Sequence, residues 1–284
     1  MAYLLGLCAA LCAATGAAVQ HREVAEVPTA SSTGLRLVIA ALRRPLYLLG
    51  FAVLLGAFAF QFAALRVGDL TQVQPMLATE LLFLMVIIVF THHQRPGRRE
   101  WAAAVMIVGG LALFLVAAKP HGGVKTLSSG WAVALTIALV VVVGVLFGLS
   151  RLWVGWSRAA LLGAAASSCF AYQAAMTKIV AGLHLSAIIT SPALYLLGAG
   201  GALGFFLYTL ALRAGHVAAS RASMNIVNPL ASVLIGVVAF AEVLNHAPAA
   251  IVLEVLGLVI LVFGARQMAT SPLIATVDED AAAS

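Results

Sequence analysis

The stretch that decides the fold runs from Ala211 to Glu254 and reads ALRAGHVAASRASMNIVNPLASVLIGVVAFAEVLNHAPAAIVLE. It is apolar enough to lie in lipid, yet it contains amide side chains, a proline and an acid. An earlier stretch from Ala64, ALRVGDLTQVQPMLATELL, begins with the same ALR-x-G pattern and also contains amides, a proline and an acid. Polar groups and helix-breaking prolines at membrane depth, in two related halves, are typical of a transporter built from a duplicated unit.

The composition predicts a polytopic helical membrane protein. Of 284 residues, 63% are hydrophobic and 9% are charged, whereas a soluble domain is about 25% charged. One core cannot hide this much apolar surface, so most of it must face lipid. Apolar runs long enough to cross roughly 30 Å of hydrocarbon recur along the chain. The predicted spans are Ala2–Val19, Leu46–Leu65, Leu70–Phe90, Trp101–Ala118, Trp131–Leu149, Ala159–Lys178, Leu194–Leu212, Val217–Ala241 and Pro248–Ala265.

Short sequence matches repeat in the same order along the chain. The YLLG sequence of Tyr47–Gly50 recurs at Tyr195–Gly198, and the ALR-x-G pattern at residue 64 recurs at residue 211. At the second offset Gly110 corresponds to Gly257. Several matches at nearly constant offset indicate an internal duplication.

The duplication divides the chain into two four-span units. Residues 1–118 form the first half, 119–158 the linking span with its loops, 159–266 the second half and 267–284 a disordered cytoplasmic tail. One single crossing between two even-numbered units turns the second unit upside down. The predicted fold is therefore an all-α bundle of about nine spans, with two inverted four-span repeats and a linking span.

The basic residues predict the orientation in the membrane. Twelve arginines fall on one side of the nine spans, and Arg66, Lys119, Lys125 and Lys178 fall on the other. The positive-inside rule puts the arginine-rich side in the cytoplasm. We expect a multi-pass protein of the plasma membrane with its N-terminus outside and its C-terminus in the cytoplasm. Because these residues lie in short loops beside apolar spans, they do not indicate nucleic-acid binding.

Two short segments, 32–44 and 183–191, leave the number of crossings open. Each has about a dozen residues or fewer, which is too few for a straight crossing. In the first segment three arginines fall on one helical face, which suits a helix in the headgroup layer. If both segments cross, the count becomes eleven and the inversion argument fails.

Several motifs resemble the drug/metabolite transporter superfamily. The order of ALR-x-G, Val73-Gln74-Pro75, a basic loop and Glu100-Trp101 looks most like its NIPA-type, magnesium-transporter-like branch. Asn228-Pro229-x-x-Ser232-Val233, followed by Glu242, looks like the last-but-one span of EamA-type members. The resemblance implies a carrier with two inverted halves that moves a small solute or a divalent ion, and the NIPA-type relatives would suggest magnesium.

Two acids within the spans are candidates for ion or proton coupling. Glu80 lies about ten residues into the third span, roughly 15 Å deep, and Glu254 lies roughly 9 Å into the last span. An ionised carboxylate at the bilayer centre costs on the order of 2.5–3.5 kcal/mol, so Glu80 must be protonated, paired or hydrated. The alternative for Glu80 is a protonated acid bonded to a neighbouring helix. Glu242 is predicted at a span end, in a solvated or capping role.

Amides surround the two predicted helix breaks. Pro75 and Pro229 each remove one helical hydrogen bond, and the freed carbonyls at membrane depth need a partner. The amides near them, which can donate and accept, are candidates for a solute site; they are Gln72, Gln74, Asn225 and Asn228. Tyr172 and Gln173 of the sixth span could line the same cavity. The alternative is that all these groups only bond neighbouring helices together.

Three functions remain open from the sequence. The first is a secondary active transporter of a small metabolite or drug-like solute, with alternating access between the two halves. The second is a divalent-cation transporter, which would need Glu80 and Glu254 to converge. The third is a non-transporting membrane scaffold. No nucleotide-binding or hydrolytic motif is present, so we predict no enzyme activity and no cofactor apart from proton or cation coupling. The predicted partners are the lipid bilayer and a small solute or ion; a homodimer stays open.

Overall fold

The computed structural model describes residues 1–25, 45–92, 96–124, 126–214, 217–245 and 247–271. Helices make up most of these residues, and the described chain contains one isolated β-bridge, between His121 and Val243. The helices are α1 Ala2–Ala25, α2 Pro45–Val67, α3 Leu70–Leu77, α4 Glu80–His92, α5 Arg98–Ala118, α6 Ser129–Leu152, α7 Gly155–Ala181, α8 Leu185–Ile188, α9 Pro192–Arg213, α10 Val217–Val238 and α11 Pro248–Ala269.

The prediction of an all-α membrane bundle is confirmed. In the described residues, eight helical stretches are long and apolar enough to cross a membrane. One of these, Leu70–Thr91, consists of α3 and α4 together. The predicted eighth span corresponds to α10, which contains an apolar stretch over Ile226–Val238 in the part whose side chains are described.

The polar first half of α10 packs against protein. Ser223 Oγ donates to the Ala160 carbonyl at 2.8 Å, and a Cβ on Gly163 would lie 2.6 Å from the Ser220 carbonyl oxygen. Both contacts are with α7. Since these polar groups lie between helices, α10 can be 22 residues long without a continuous apolar surface.

Contacts at the helix ends define two ends of the bundle. We call face A the end where Asp69, Lys178 and Glu242 lie together. Face B is the opposite end, where Arg99 donates to Gln267 at 3.0 Å and to Thr270 at 2.8 Å. The two labels describe the molecule and do not depend on its orientation in a membrane.

Helices α5 and α11 pack against each other in an antiparallel pair. A Cβ on Gly257 would lie 2.6 Å from Phe114 N and 2.9 Å from the Gly110 carbonyl oxygen. A Cβ on Gly264, nearer the end of α11, would lie 2.9 Å from Ile107 N, nearer the start of α5. Such close backbone approach requires residues without a side chain. The antiparallel contact is the arrangement that inverted halves require.

Other contacts pair the helices in a similar way within each predicted half. Helix α1 packs on α2 and on the α3–α4 pair, and α7 packs on α9 and α10. Helix α6, the predicted linking span, contacts mainly α7 and exposes most of its length, including Val133, Ile137 and Val140. This exposed apolar surface is what a lipid-facing helix presents.

The segment 183–191 does not cross the bundle. It contains the four-residue helix α8, which is only about 6 Å long. The helices on either side, α7 and α9, pack antiparallel, since Gly200 faces Tyr172 and Gly204 faces Cys169. The first short segment, 32–44, lies outside the described residues.

The last helix is longer than the sequence suggests. Helix α11 continues to Ala269, three residues beyond residue 266, where the second half was predicted to end and the tail to begin. The hydrogen bonds from Arg99 to Gln267 and Thr270 hold this additional turn against α5. The rest of the predicted tail, from residue 272, lies outside the described residues.

Candidate functional site

The predicted third span is interrupted near its middle. Helix α3 contains Pro75 and ends at Leu77, and α4 begins at Glu80. The chain between them makes tight turns, with Ala78 N donating to the Pro75 carbonyl at 3.2 Å and Thr79 N to the Met76 carbonyl at 3.0 Å. Proline cannot donate to the helical ladder, so a break beside it is expected. The interruption places Glu80 in the first turn of α4, where the helix dipole favours a negative charge.

A cavity of about 200 Å³ lies beside this interruption. Its polar lining consists of Gln74 from α3, Glu80 from α4, Ser167 from α7 and Asn228 from α10. Apolar side chains complete the wall, among them Phe170 of α7. The cavity therefore lies between elements of both predicted halves, which is where inverted-repeat transporters bind solutes.

Two polar atoms at the cavity are buried and lack a hydrogen-bond partner within the described residues. They are Gln74 Nε2, a donor, and Asn228 Oδ1, an acceptor. The Gln74 side chain is only 3% exposed. By contrast, Ser167 Oγ already donates to the Met224 carbonyl at 3.0 Å. Buried polar atoms that are unpaired cost free energy, so a small movement that lets a solute or water pair with either atom would be favourable.

Three of the candidate residues lie away from this cavity. Gln72 is at face A, where its Nε2 donates to the Pro120 carbonyl at 2.6 Å. The Tyr172 hydroxyl lies 2.8 Å from Thr136 Oγ1 of α6. Gln173 faces α9, because a Cβ on Gly201 would lie 3.1 Å from its Oε1.

The remaining candidates are Pro229, Asn225 and Glu254. Pro229 lines the cavity but lies inside α10, which continues through it, so the predicted break at Pro229 is absent. Asn225 belongs to α10, and its side chain lies outside the described part of the structure. Glu254 is buried in α11. It lies eleven residues from Ala265, the α11 residue at the cavity, which is about 16 Å along the helix.

The position of Tyr172 leads to a test that separates packing from binding. We expect Tyr172→Phe to lower the free energy of unfolding by about 0.5–1.5 kcal/mol, because one hydrogen bond to Thr136 is lost. Ligand binding should be unchanged. Chemical denaturation in detergent gives the first quantity and ligand-induced thermal shift the second. A loss of ligand binding without loss of stability would place Tyr172 in the site instead.

A cluster of three charged residues at face A was not predicted from the sequence. Glu242 was predicted in a solvated or capping role; it caps a helix, but it is 2% exposed. Its Oε1 accepts from Leu70 N at 2.6 Å and its Oε2 from Thr71 N at 2.8 Å. Lys178 Nζ donates to Glu242 Oε1 at 2.5 Å and lies 3.5 Å from Asp69 Oδ1. The only sequence signal was that each of the three charges stands at a span end.

The described residues contain no group of three or more His, Cys, Asp or Glu side chains that could hold a metal ion. Glu80 is the one carboxylate among the described residues that line the cavity. The two acids that a divalent-cation site would need are therefore not brought together at this cavity.

Comparisons with known proteins agree with the architecture. The model of the EamA-like transporter family matches residues 1–116, which are the first four predicted spans. The chain is also 27% identical over 248 residues to an uncharacterized protein of Corynebacterium glutamicum, and the match covers 85% of each chain. No solved structure matches the chain.

Proposed function

We propose that this protein is a secondary active transporter of a small solute, which binds in the cavity between α3, α4, α7 and α10. The observation that carries the proposal is the unpaired donor of Gln74 and acceptor of Asn228, buried beside Glu80 at an interrupted helix. The match of residues 1–116 to the EamA-like transporter family supports the same class. The substrate is a molecule small enough for about 200 Å³ that can both accept and donate hydrogen bonds.

The proposed mechanism is alternating access between two inverted halves. The antiparallel contact of Gly110 and Gly257, which correspond in the repeat, supports an inverted relation. Residues 1–118 and 159–266 would form the halves, and α6 the linking span. With the orientation that the arginines favour, face B lies in the cytoplasm.

Glu80 would couple transport to a proton or cation. It is the carboxylate nearest the middle of the interrupted span, and it lines the cavity with the two amides. A carboxylate in this place can exchange a proton or a cation for the solute during each cycle. Glu254 is not among the residues that line the cavity, which favours the solute carrier over a divalent-cation transporter.

The test begins with a thermal-shift screen of the purified protein. The panel contains amino acids, amines, sugars, organic acids and magnesium chloride. A ligand present at 100 times its dissociation constant should stabilise the protein by about 2.7 kcal/mol. We expect at least one organic solute to do so, and expect Asn228→Ala to remove the shift because the buried acceptor is lost.

Uptake of the identified solute then tests the role of Glu80. In proteoliposomes with a pH gradient, Glu80→Gln should abolish coupled uptake while the protein still folds. Glu100→Gln is the matched control, since Glu100 is also buried but lies in the first turn of α5 at face B. Uptake by Glu80→Gln that equals the parent at every pH would remove Glu80 from the mechanism.

A further inference from the structure

A layer of buried residues separates the cavity from face A. Leu70 and Val73 of α3, Met176 of α7 and Phe240 after α10 are fully buried in one apolar cluster. On the face-A side of this cluster lie Asp69, Lys178 and Glu242, which we call the latch. The latch connects the two predicted halves, because Asp69 precedes α3 whereas Lys178 and Glu242 belong to the second half.

The latch holds the first turn of α3. One carboxylate, Glu242, accepts hydrogen bonds from Leu70 N, Thr71 N and Lys178 Nζ at once. Lys178 Nζ also lies 4.6 Å from the centre of the Phe240 ring, which adds a cation–π contact. Charged hydrogen bonds buried from water are strong, so they fix α3 against α10 in this state.

Two loops close over the latch. His121 N donates to the Val243 carbonyl at 3.2 Å, Val243 N donates back at 2.9 Å, and Val124 N donates to the Phe240 carbonyl at 2.8 Å. Gly123 fits directly above the ion pair, because a Cβ there would lie 2.5 Å from Glu242 Cγ. Face A is thus sealed by backbone hydrogen bonds as well as by charges.

The seam between α3 and α10 below the latch contains polar atoms that are not paired. Thr71 Oγ1 and Ser232 Oγ are fully buried and have no hydrogen-bond partner within the described residues. Ser232 is one helical turn from Asn228 at the cavity, and Gly236, one turn further, contacts Thr71. If α3 and α10 separate, water pairs with these hydroxyls, so the separated state recovers free energy that the closed seam lacks.

The cavity lies on the face-B side of this layer. It reaches Ala265, which is four residues from the end of α11 at face B. Beyond the interruption at Ala78, α4 packs mainly on α1 of its own half and less on α11 of the second half. The second half is therefore joined to α3 at face A, whereas toward face B α4 packs mainly with its own half.

We propose that Asp69, Lys178 and Glu242 form the face-A gate of the transporter. Breaking the ion pair releases the first turn of α3 from Glu242, and parting of α3 from α10 opens the cavity to face A. This inference rests on the proposed alternating access. Lys178 and Glu242 are positioning residues, since they act on the cavity through α3 and do not line it.

The test is the access of a thiol reagent to a cysteine in the cavity. Ala78 lines the cavity. The variant Ala78→Cys is made in a protein whose native cysteines, Cys8, Cys12 and Cys169, are replaced. The membrane-impermeant cation MTSET is applied from one side of sealed proteoliposomes. Protease access to an N-terminal tag shows which face of the protein is on that side. In the parent, we expect the cysteine to react from face B and to be protected from face A.

The double variant Lys178→Met/Glu242→Gln removes both charges without leaving either one unpaired. We expect its reaction from face A to be at least about tenfold faster than that of the parent, because the gate-open population rises. Lys178→Arg, which keeps the cation, should stay near the parental rate, and so should the matched control Glu100→Gln. An unchanged face-A rate in the double variant, or a parent that already reacts rapidly from face A, would overturn the proposal.

A second variant keeps the test decisive if the double variant does not fold. Asp69→Asn weakens the latch but leaves Lys178 and Glu242 paired, so a smaller rise of the same sign is expected; no rise counts against the gate. The assay needs no solute and no transport. If face-A access rises in the double variant but Glu80→Gln takes up solute like the parent, the gate is upheld and the proposed coupling is rejected. If face-A access is unchanged but Glu80→Gln loses coupled uptake, the gate is rejected and the coupling is upheld.

Discussion

Gly257→Val is expected to prevent the chain from forming a stable bundle. A Cβ at this position would lie 2.6 Å from Phe114 N and 3.0 Å from Phe114 Cα. These are backbone atoms inside α5, so they cannot move without separating α5 from α11. Overpacking of a core commonly costs 1–3 kcal/mol when side chains can adjust, and here we expect more than about 3 kcal/mol.

The measurement is the yield of monodisperse protein in detergent, together with its thermal unfolding temperature. Gly144→Val is the matched control, because a Cβ at Gly144 in α6 has no neighbour within 4 Å. Both changes place the same β-branched side chain in a membrane helix. If the two variants unfold at the same temperature, the close approach of α5 and α11 is not what holds the two halves together.

Lys178→Met is expected to lower the free energy of unfolding by about 3–5 kcal/mol, because it leaves the buried Glu242 carboxylate without its cation. The carboxylate is 2% exposed and has the Asp69 carboxylate near the same ammonium group. Its two backbone donors at the start of α3 remain, but they do not neutralise its charge.

A double-mutant cycle with Glu242→Gln measures how strongly the pair is coupled. Once the carboxylate is gone, loss of Lys178 should cost little, so the double variant should lose at least about 2 kcal/mol less than the sum of the single variants. Chemical denaturation of the four proteins in one detergent supplies the values. Strictly additive losses would mean that Lys178 and Glu242 do not interact in the folded protein.

Much of the bundle could be predicted because membrane helices are specified locally. A run of about 20 apolar residues must satisfy its own backbone hydrogen bonds in lipid, and a helix is the way to do so. This logic predicted nine spans, and helices lie at all nine positions. It could not show that polar residues in the first half of α10 pack on α7, because contacts between helices far apart in the chain leave no local pattern.

In the candidate site, too, local features could be predicted from the sequence and contacts between helices could not. Gln74 and Glu80 were found from one stretch, since a proline and an acid within the same span are a local signal. Asn228 was found by the same reasoning in another stretch. Their convergence, and the exclusion of Gln72, Tyr172 and Gln173, depended on which face of each helix packs inward. A proline alone was also insufficient to predict a helix break, because α10 continues through Pro229 whereas the helix ends after Pro75.

The sequence by itself determined that this chain forms a helical membrane bundle, where most of its helices lie and that Glu80 stands beside an interruption, because lipid imposes those features on each segment separately. Only the tertiary structure decided that Gly110 meets Gly257 and that Glu242 caps a helix that starts 172 residues before it. Such contacts join segments far apart in the chain, and their geometry follows from how whole helices pack.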